Sequence, residues 1–220
     1  MLCAFDFDGT LGDSKSVCYK ALKLYSNQTG LNLPAYSDMD HVFGNPNPPI
    51  IFKGWGDIEA FRKHLLNIYE MTDDLICDQP SDAPLFPGIQ ELLDDLSQDF
   101  VLTIVTSRAL KPIQALIQHH KIESYFKTIR SDQDIINRGY RGKPHPDKLN
   151  CVLQETGFHP QKAVMIGDTL MDMKMAKSAG VKAIGVSWGY NNEAILREHG
   201  ADEVVRSPET LNQVIRHIFS

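Results

Sequence analysis

Four short apolar runs, at residues 2–7, 100–105, 163–166 and 182–186, each lead into a small or polar cluster. They are continuous or nearly so, which suits strands buried on both faces of a parallel sheet. A weaker run lies at 126–129, and Val204-Val205 can add an edge strand. Between the runs, apolar residues recur at helical spacing: Ile89, Leu92, Leu93 and Leu96, then Ile113, Leu116 and Ile117 behind Pro112. The same spacing returns at Leu149, Val152 and Leu153 before Gly157, and at Leu211, Val214, Ile215 and Ile218. Strands alternating with helices predict an α/β fold, a doubly wound and mostly parallel sheet with helices on both faces.

One segment breaks the alternation. Residues 14–84 hold two helical patterns and no convincing buried strand. The first carries Val17, Ala21, Leu24 and Tyr25 and stops near Gly30; the second carries Ile58, Phe61, Leu65 and Ile68. The stretch 43–49 between them is too proline-rich for a helix interior or a central strand. The expected organisation is an α/β core of residues 1–13 and 85–220 with a small helical domain of residues 14–84 inserted. A chain of 220 residues has room for both.

Charge narrows the partners. Lys and Arg number 22 against 28 Asp and Glu, a net charge of −6. That balance disfavours nucleic acid and anionic membranes, which select basic faces. No apolar stretch is long enough to span a bilayer, and the first residues lack the features of a signal peptide. Cys3, Cys18, Cys77 and Cys151 form no close pair and read as reduced thiols. A cytoplasmic location is expected.

Carboxylates at strand ends are the sharpest chemical signal. Asp6 and Asp8 lie two apart in an extended segment, so both point to one face. Asp168 and Asp172 straddle a strand-to-helix turn after another buried run. Ligands of open α/β sheets bind beyond the carboxyl ends of the strands, and four carboxylates converging there call for a cation. An all-oxygen donor set suits Mg²⁺. Singly, such residues are as readily helix caps or turn formers.

Asp6-Phe7-Asp8-Gly9-Thr10-Leu11 resembles the first motif of the haloacid dehalogenase superfamily of phosphohydrolases. Val105-Thr106-Ser107, Lys143-Pro144-His145-Pro146 and Gly167-Asp168-Thr169-Leu170-Met171-Asp172 are similar to its second, third and fourth motifs, in the same order. The segment 14–84 resembles the family's type 1 cap. Leu85-Phe86-Pro87-Gly88 and Gly185-Val186-Ser187-Trp188-Gly189-Tyr190 look like the phosphoglycolate phosphatase branch. The resemblance implies a Mg²⁺-dependent phosphatase acting on a small phosphorylated metabolite, as a monomer or homodimer. It implies Asp6 as nucleophile and Asp8 as acid/base. Gly9, Thr10, Thr106, Ser107 and Lys143 would bind the phosphoryl group. Asp6, the Asp8 carbonyl, Asp168 and, through water, Asp172 would hold the metal.

Lys53, Trp55 and Arg62 in the inserted segment, with Arg108, Trp188 and the loop 44–49, are the candidates for contacting the rest of the substrate. Two rivals share these core motifs: a phosphomutase of the β-phosphoglucomutase type and a catalytically silent binding protein. A metal-free dehalogenase has no need of Asp8 or the Asp168/Asp172 pair. Gly142-Lys143 is followed by proline where a Walker loop needs Ser or Thr. His119, His120 and His145 are expected to be solvated.

Overall fold

The computed structural model describes residues 1–41 and 55–220, the side chains of Asp40, His41 and Ile58 excepted. Among the described residues, six parallel strands run in the order β3-β2-β1-β4-β5-β6. They are β1 (Leu2–Phe5), β2 (Val101–Val105), β3 (Phe126–Arg130), β4 (Ala163–Gly167), β5 (Lys182–Val186) and β6 (Glu203–Val205). β1 is the middle of the sheet. Its four residues are fully buried, and Leu2 pairs with Val101 of β2 on one side and Ala163 of β4 on the other. The unbroken apolar runs follow from this burial, because no position on the central strands faces water.

Helices cover both faces. Ile89, Leu92, Leu93 and Leu96 of α3 (Ile89–Leu96), Ile113, Leu116 and Ile117 of α4 (Leu110–His119), and Leu211 and Ile215 of α9 (Pro208–Ile218) share a core with Phe5, Ile104 and Ile166. Leu149 and Val152 of α6 (Asp147–Thr156), with Met173 and Ala176 of α7 (Leu170–Ser178), pack on the other face against Leu2, Ala4 and Met165. The chain winds outward from β1 to β3 and then crosses to β4, so the order reverses between β1 and β4. A crevice opens at their carboxyl ends.

Two helices form a separate layer beyond that edge. α1 (Lys15–Thr29) and α2 (Ile58–Asp78) enclose a small core of Cys18, Ala21, Leu22, Tyr25, Trp55, Phe61 and Ile68. Leu24, expected on the buried face, is exposed, and Leu22 takes its place. The layer joins the α/β body through two adjacent passages, where the Asp13 amide donates to the Pro84 carbonyl at 2.7 Å and the Phe86 amide to the Leu11 carbonyl at 3.0 Å.

Three helices lay outside the periodicity reading: α5 (Gln133–Arg138), α7 and α8 (Glu193–Glu198). α5 and α8 are too short for a repeat to register. α7 is buried broadly enough that its apolar residues mark no single stripe.

Candidate active site

After β1 the amides of Thr10, Leu11 and Gly12 converge on the Phe7 carbonyl at 3.2, 2.9 and 2.9 Å. This tight turn holds Asp6 and Asp8 at the sheet edge. Gly9 has φ +77°, and a Cβ there would lie 2.1 Å from Asp168 Oδ2. Conformation and space therefore both demand glycine. Gly189 is confined by space alone, its would-be Cβ 2.3 Å from that oxygen.

The turn from β4 into α7 supplies the other acids. Asp168 Oδ1 accepts from the Thr10 hydroxyl at 3.1 Å, and Oδ2 accepts from the Tyr190 amide at 2.8 Å. Asp172 completes a capping box with Thr169: its Oδ2 accepts from the Thr169 amide at 3.1 Å and hydroxyl at 2.6 Å. Asp172 thus serves the helix start as the third residue of that box, while its other oxygen turns to Lys143. Lys143 Nζ lies 2.6 Å from Asp172 Oδ1 and 2.9 Å from Asp6 Oδ1. Asp6, Asp168 and Asp172 each bring an oxygen within 4.8 Å of the others, and all three are buried.

The electrostatics follow from crowding. Burial pushes the Asp6 carboxyl up to about 7; Lys143 opposes the rise, and the Asp172 and Asp8 charges add to it. Burial, with Asp6 and Asp172 beside it, raises Asp168 well above the carboxylate range. Lys143 is also buried, but Asp172 and Asp6 outweigh that and hold its ammonium above the ordinary lysine value. With all three buried carboxylates ionised, one ammonium would leave two negative charges uncompensated. A small hard divalent cation meets both the charge and the oxygen donor set, so these residues fit Mg²⁺.

Asp8 faces another way. Arg108, three residues past β2, grips it with Nε to Oδ2 and Nη2 to Oδ1, each at 2.8 Å. The third nitrogen, Nη1, reaches Asp73 of α2 at 2.5 Å. Thr106 is buried at the end of β2, its hydroxyl accepting from the Arg108 amide at 3.1 Å, while Ser107 is exposed in the crevice. The Thr106 carbonyl accepts at 2.6 Å from Lys148 Nζ, which also pairs with Asp132 at 2.5 Å. Burial lowers the Lys148 pKa. Asp6, Asp8, Thr106, Ser107, Arg108 and Lys143 all border one cleft of ≈ 590 Å³.

The family model for haloacid dehalogenase-like hydrolases matches residues 3–186. The chain belongs to this family. Curated relatives of the haloacid dehalogenase-like chain include the phosphoglycolate phosphatase of Vibrio cholerae, 26% identical over 97% of this chain and 96% of the relative. That of Yersinia pestis is 28% identical over 89% and 85%. Among solved structures, a haloacid dehalogenase-like hydrolase of Streptococcus pneumoniae superposes with TM-score 0.79 at 24% identity, covering 97% of both chains. A hydrolase from Pseudomonas syringae has TM-score 0.77 at 22% identity, covering 100% of both. Likeness at that identity establishes the shared fold.

Several proposed contacts fall elsewhere in this hydrolase. Trp55, expected to grip substrate, is 1% exposed in the core between α1 and α2, its Nε1–H donating to the Asn32 carbonyl at 3.0 Å. Burying its large ring stabilises the helical pair more than an exposed site could. Arg62 is exposed and does not line the cleft. Trp188 donates to the Thr10 carbonyl at 3.1 Å and so braces the first loop. Lys53 and the loop 44–49 lie outside the described residues. Reading the sequence missed the partners of Arg108, the buried Lys148, and Asp73. Nothing local marks them, since Asp8 lies 100 residues from Arg108 and Thr106 lies 42 from Lys148.

Proposed function

We propose that the chain is a Mg²⁺-dependent phosphatase that hydrolyses a small phosphomonoester through an aspartyl-phosphate on Asp6. The observation that carries this reading is the buried set of Asp6, Asp168 and Asp172 around one lysine. An Asp6 oxygen attacks phosphorus and the leaving alcohol departs; water then releases phosphate and restores the carboxylate, so one hard step becomes two. Lys143, the Thr106 hydroxyl and the Ser107 amide hold the phosphoryl oxygens, with the Gly9–Thr10 backbone beneath. Asp8 protonates the leaving oxygen and then takes a proton from the attacking water. Asp6, Asp168 and the Asp8 carbonyl, with Asp172 behind, would hold Mg²⁺, which would supply neutralising charge for the phosphoryl oxygens. The segment 14–84, with its α1/α2 layer, acts as the cap, covering the cleft and excluding water.

Phosphoglycolate, the substrate in the relatives' names, is the reference compound for assay. Phosphate release from a panel of phosphomonoesters, with Mg²⁺ and with EDTA, tests the reading. Release in Mg²⁺ and loss in EDTA are expected; a full rate in EDTA overturns the metal assignment. A phosphomutase would return an isomer in place of free phosphate.

A further inference from the structure

The cleft over Asp6 extends well beyond a phosphoryl group, and its chemistry changes with distance from the carboxylates. The facing wall is one stripe of α2: Leu65, Leu66, Tyr69, Glu70 and Asp73, at the spacing of a single helical face. Its first turn is apolar and its second acidic. Ile136 of α5 stands on the core side of the same cleft. Leu66, Tyr69 and Ile136 are 62%, 40% and 79% exposed, and they are three of the six large hydrophobic side chains that are exposed among the described residues. Scattered exposure needs no explanation, but apolar side chains gathered on one reactive cleft mark a ligand surface.

Charge defines what that ligand lacks. The described cations lining the cleft are Arg108 and Lys143. Arg108 has all three side-chain nitrogens on Asp8 and Asp73, and Lys143 is shared by Asp6 and Asp172. Glu70, on the acidic turn, has no ion-pair partner among the described residues. A second anion on the substrate would meet Glu70 and Asp73 while Arg108 and Lys143, the lining cations among the described residues, are already engaged, and like charges in a confined cleft repel.

We propose that the substrate is a phosphomonoester whose leaving alcohol carries an apolar ring or chain, seated on Leu66, Tyr69 and Ile136. It bears a hydroxyl or amino donor for Glu70 and no second anionic group. The proposal rests on the phosphatase reading above and goes further by excluding carboxylated leaving groups such as glycolate.

The test compares benzyl phosphate, 2-aminoethyl phosphate and phosphoglycolate, all esters of aliphatic alcohols, with the 220-residue chain in Mg²⁺. Benzyl phosphate should exceed phosphoglycolate in kcat/KM by about tenfold or more, the scale of apolar-pocket discrimination. Leu66→Ser and Ile136→Ser, both at exposed positions, should each lower kcat/KM for benzyl phosphate by roughly fivefold to tenfold and leave 2-aminoethyl phosphate within about twofold. Glu70→Lys should raise kcat/KM for phosphoglycolate by about fivefold or more, by converting repulsion into attraction. A wild-type preference for phosphoglycolate, or equal losses on benzyl phosphate and 2-aminoethyl phosphate in the serine variants, overturns the proposal and leaves the phosphatase reading standing. No Mg²⁺-dependent phosphate from any ester overturns both.

Discussion

Arg108 and Asp8 meet in a two-pronged ion pair, both contacts at 2.8 Å, and the same guanidinium reaches across to Asp73 of α2 at 2.5 Å. The carboxylate assigned as acid/base is thereby tied to the helical layer that roofs the cleft. Planar two-pronged pairing fixes direction as well as distance, and lysine cannot reproduce it. Arg108→Lys should therefore lower kcat more than it raises KM, by about tenfold to a hundredfold. Arg108→Ala should also cost about 2–3 kcal/mol in urea unfolding, less than the ~3–5 kcal/mol for a fully buried pair because Asp8 and Asp73 retain some solvent. An unchanged kcat in Arg108→Lys would show that Asp8 needs no such anchor.

Asp6→Asn removes the proposed nucleophile and one buried charge together. kcat should fall by at least about a thousandfold, because an amide cannot form the acyl-phosphate. In EDTA the variant should melt no lower than wild type, since a carboxylate crowded by Asp168 and Asp172 is lost. Residual turnover above that limit would count against covalent catalysis.

Metal-free protein should lose stability as pH rises. Asp6 has its carboxyl raised from 3.8 to about 7 by burial, so between those values the folded chain holds a proton that the unfolded chain has released. The Asp6 penalty is absent below 3.8 and complete above about 7. Thermal melts of wild type and Asp6→Asn in EDTA across this window isolate the effect as their difference. Mg²⁺ should raise the wild-type melting temperature at neutral pH by mass action. Parallel pH curves for the two proteins would refute the crowding account.

Gly189→Ala should disable the site without removing a polar group. The added methyl would lie 2.3 Å from both Asp168 Oδ2 and the Gly9 carbonyl, so one of the two loops must move. A loss of about 1–3 kcal/mol is expected, as for overpacking elsewhere. Mg²⁺ affinity, read by the metal dependence of turnover, should weaken alongside.

Trp55→Ala should behave as a core deletion. Its ring is packed among Tyr25, Phe61 and His64, and truncating such a side chain costs about 3–5 kcal/mol. All esters should suffer alike. A loss confined to one substrate would restore Trp55 as a specificity contact.

The strands were the most legible part of the chain, because burial on both faces leaves an unbroken apolar run such as 2–5 or 163–166. Helices with one wet face were equally plain, α3 and α9 above all. α5, α8 and the broadly buried α7 carry no such contrast. Leu24 was misread for a related reason: helical spacing names several possible faces, and only the packing of α1 on α2 selects one. Trp55, which precedes α2, was misread because nothing local shows that the same pair encloses it.

The sequence by itself determined the alternating architecture, the inserted helical pair and the carboxylates placed at strand ends, since each is written in local spacing and in motifs a few residues long. Tertiary structure alone decided which charges meet. Lys143 lies 137 positions from Asp6 and 29 from Asp172, and it joins them because β1 and β4 are neighbours where the sheet order reverses. Arg108 reaches Asp8 and Asp73 because β2 lies beside β1 and below α2. Electrostatic pairing acts over a few ångströms of space, and separation along the chain carries no information about it until the sheet has formed.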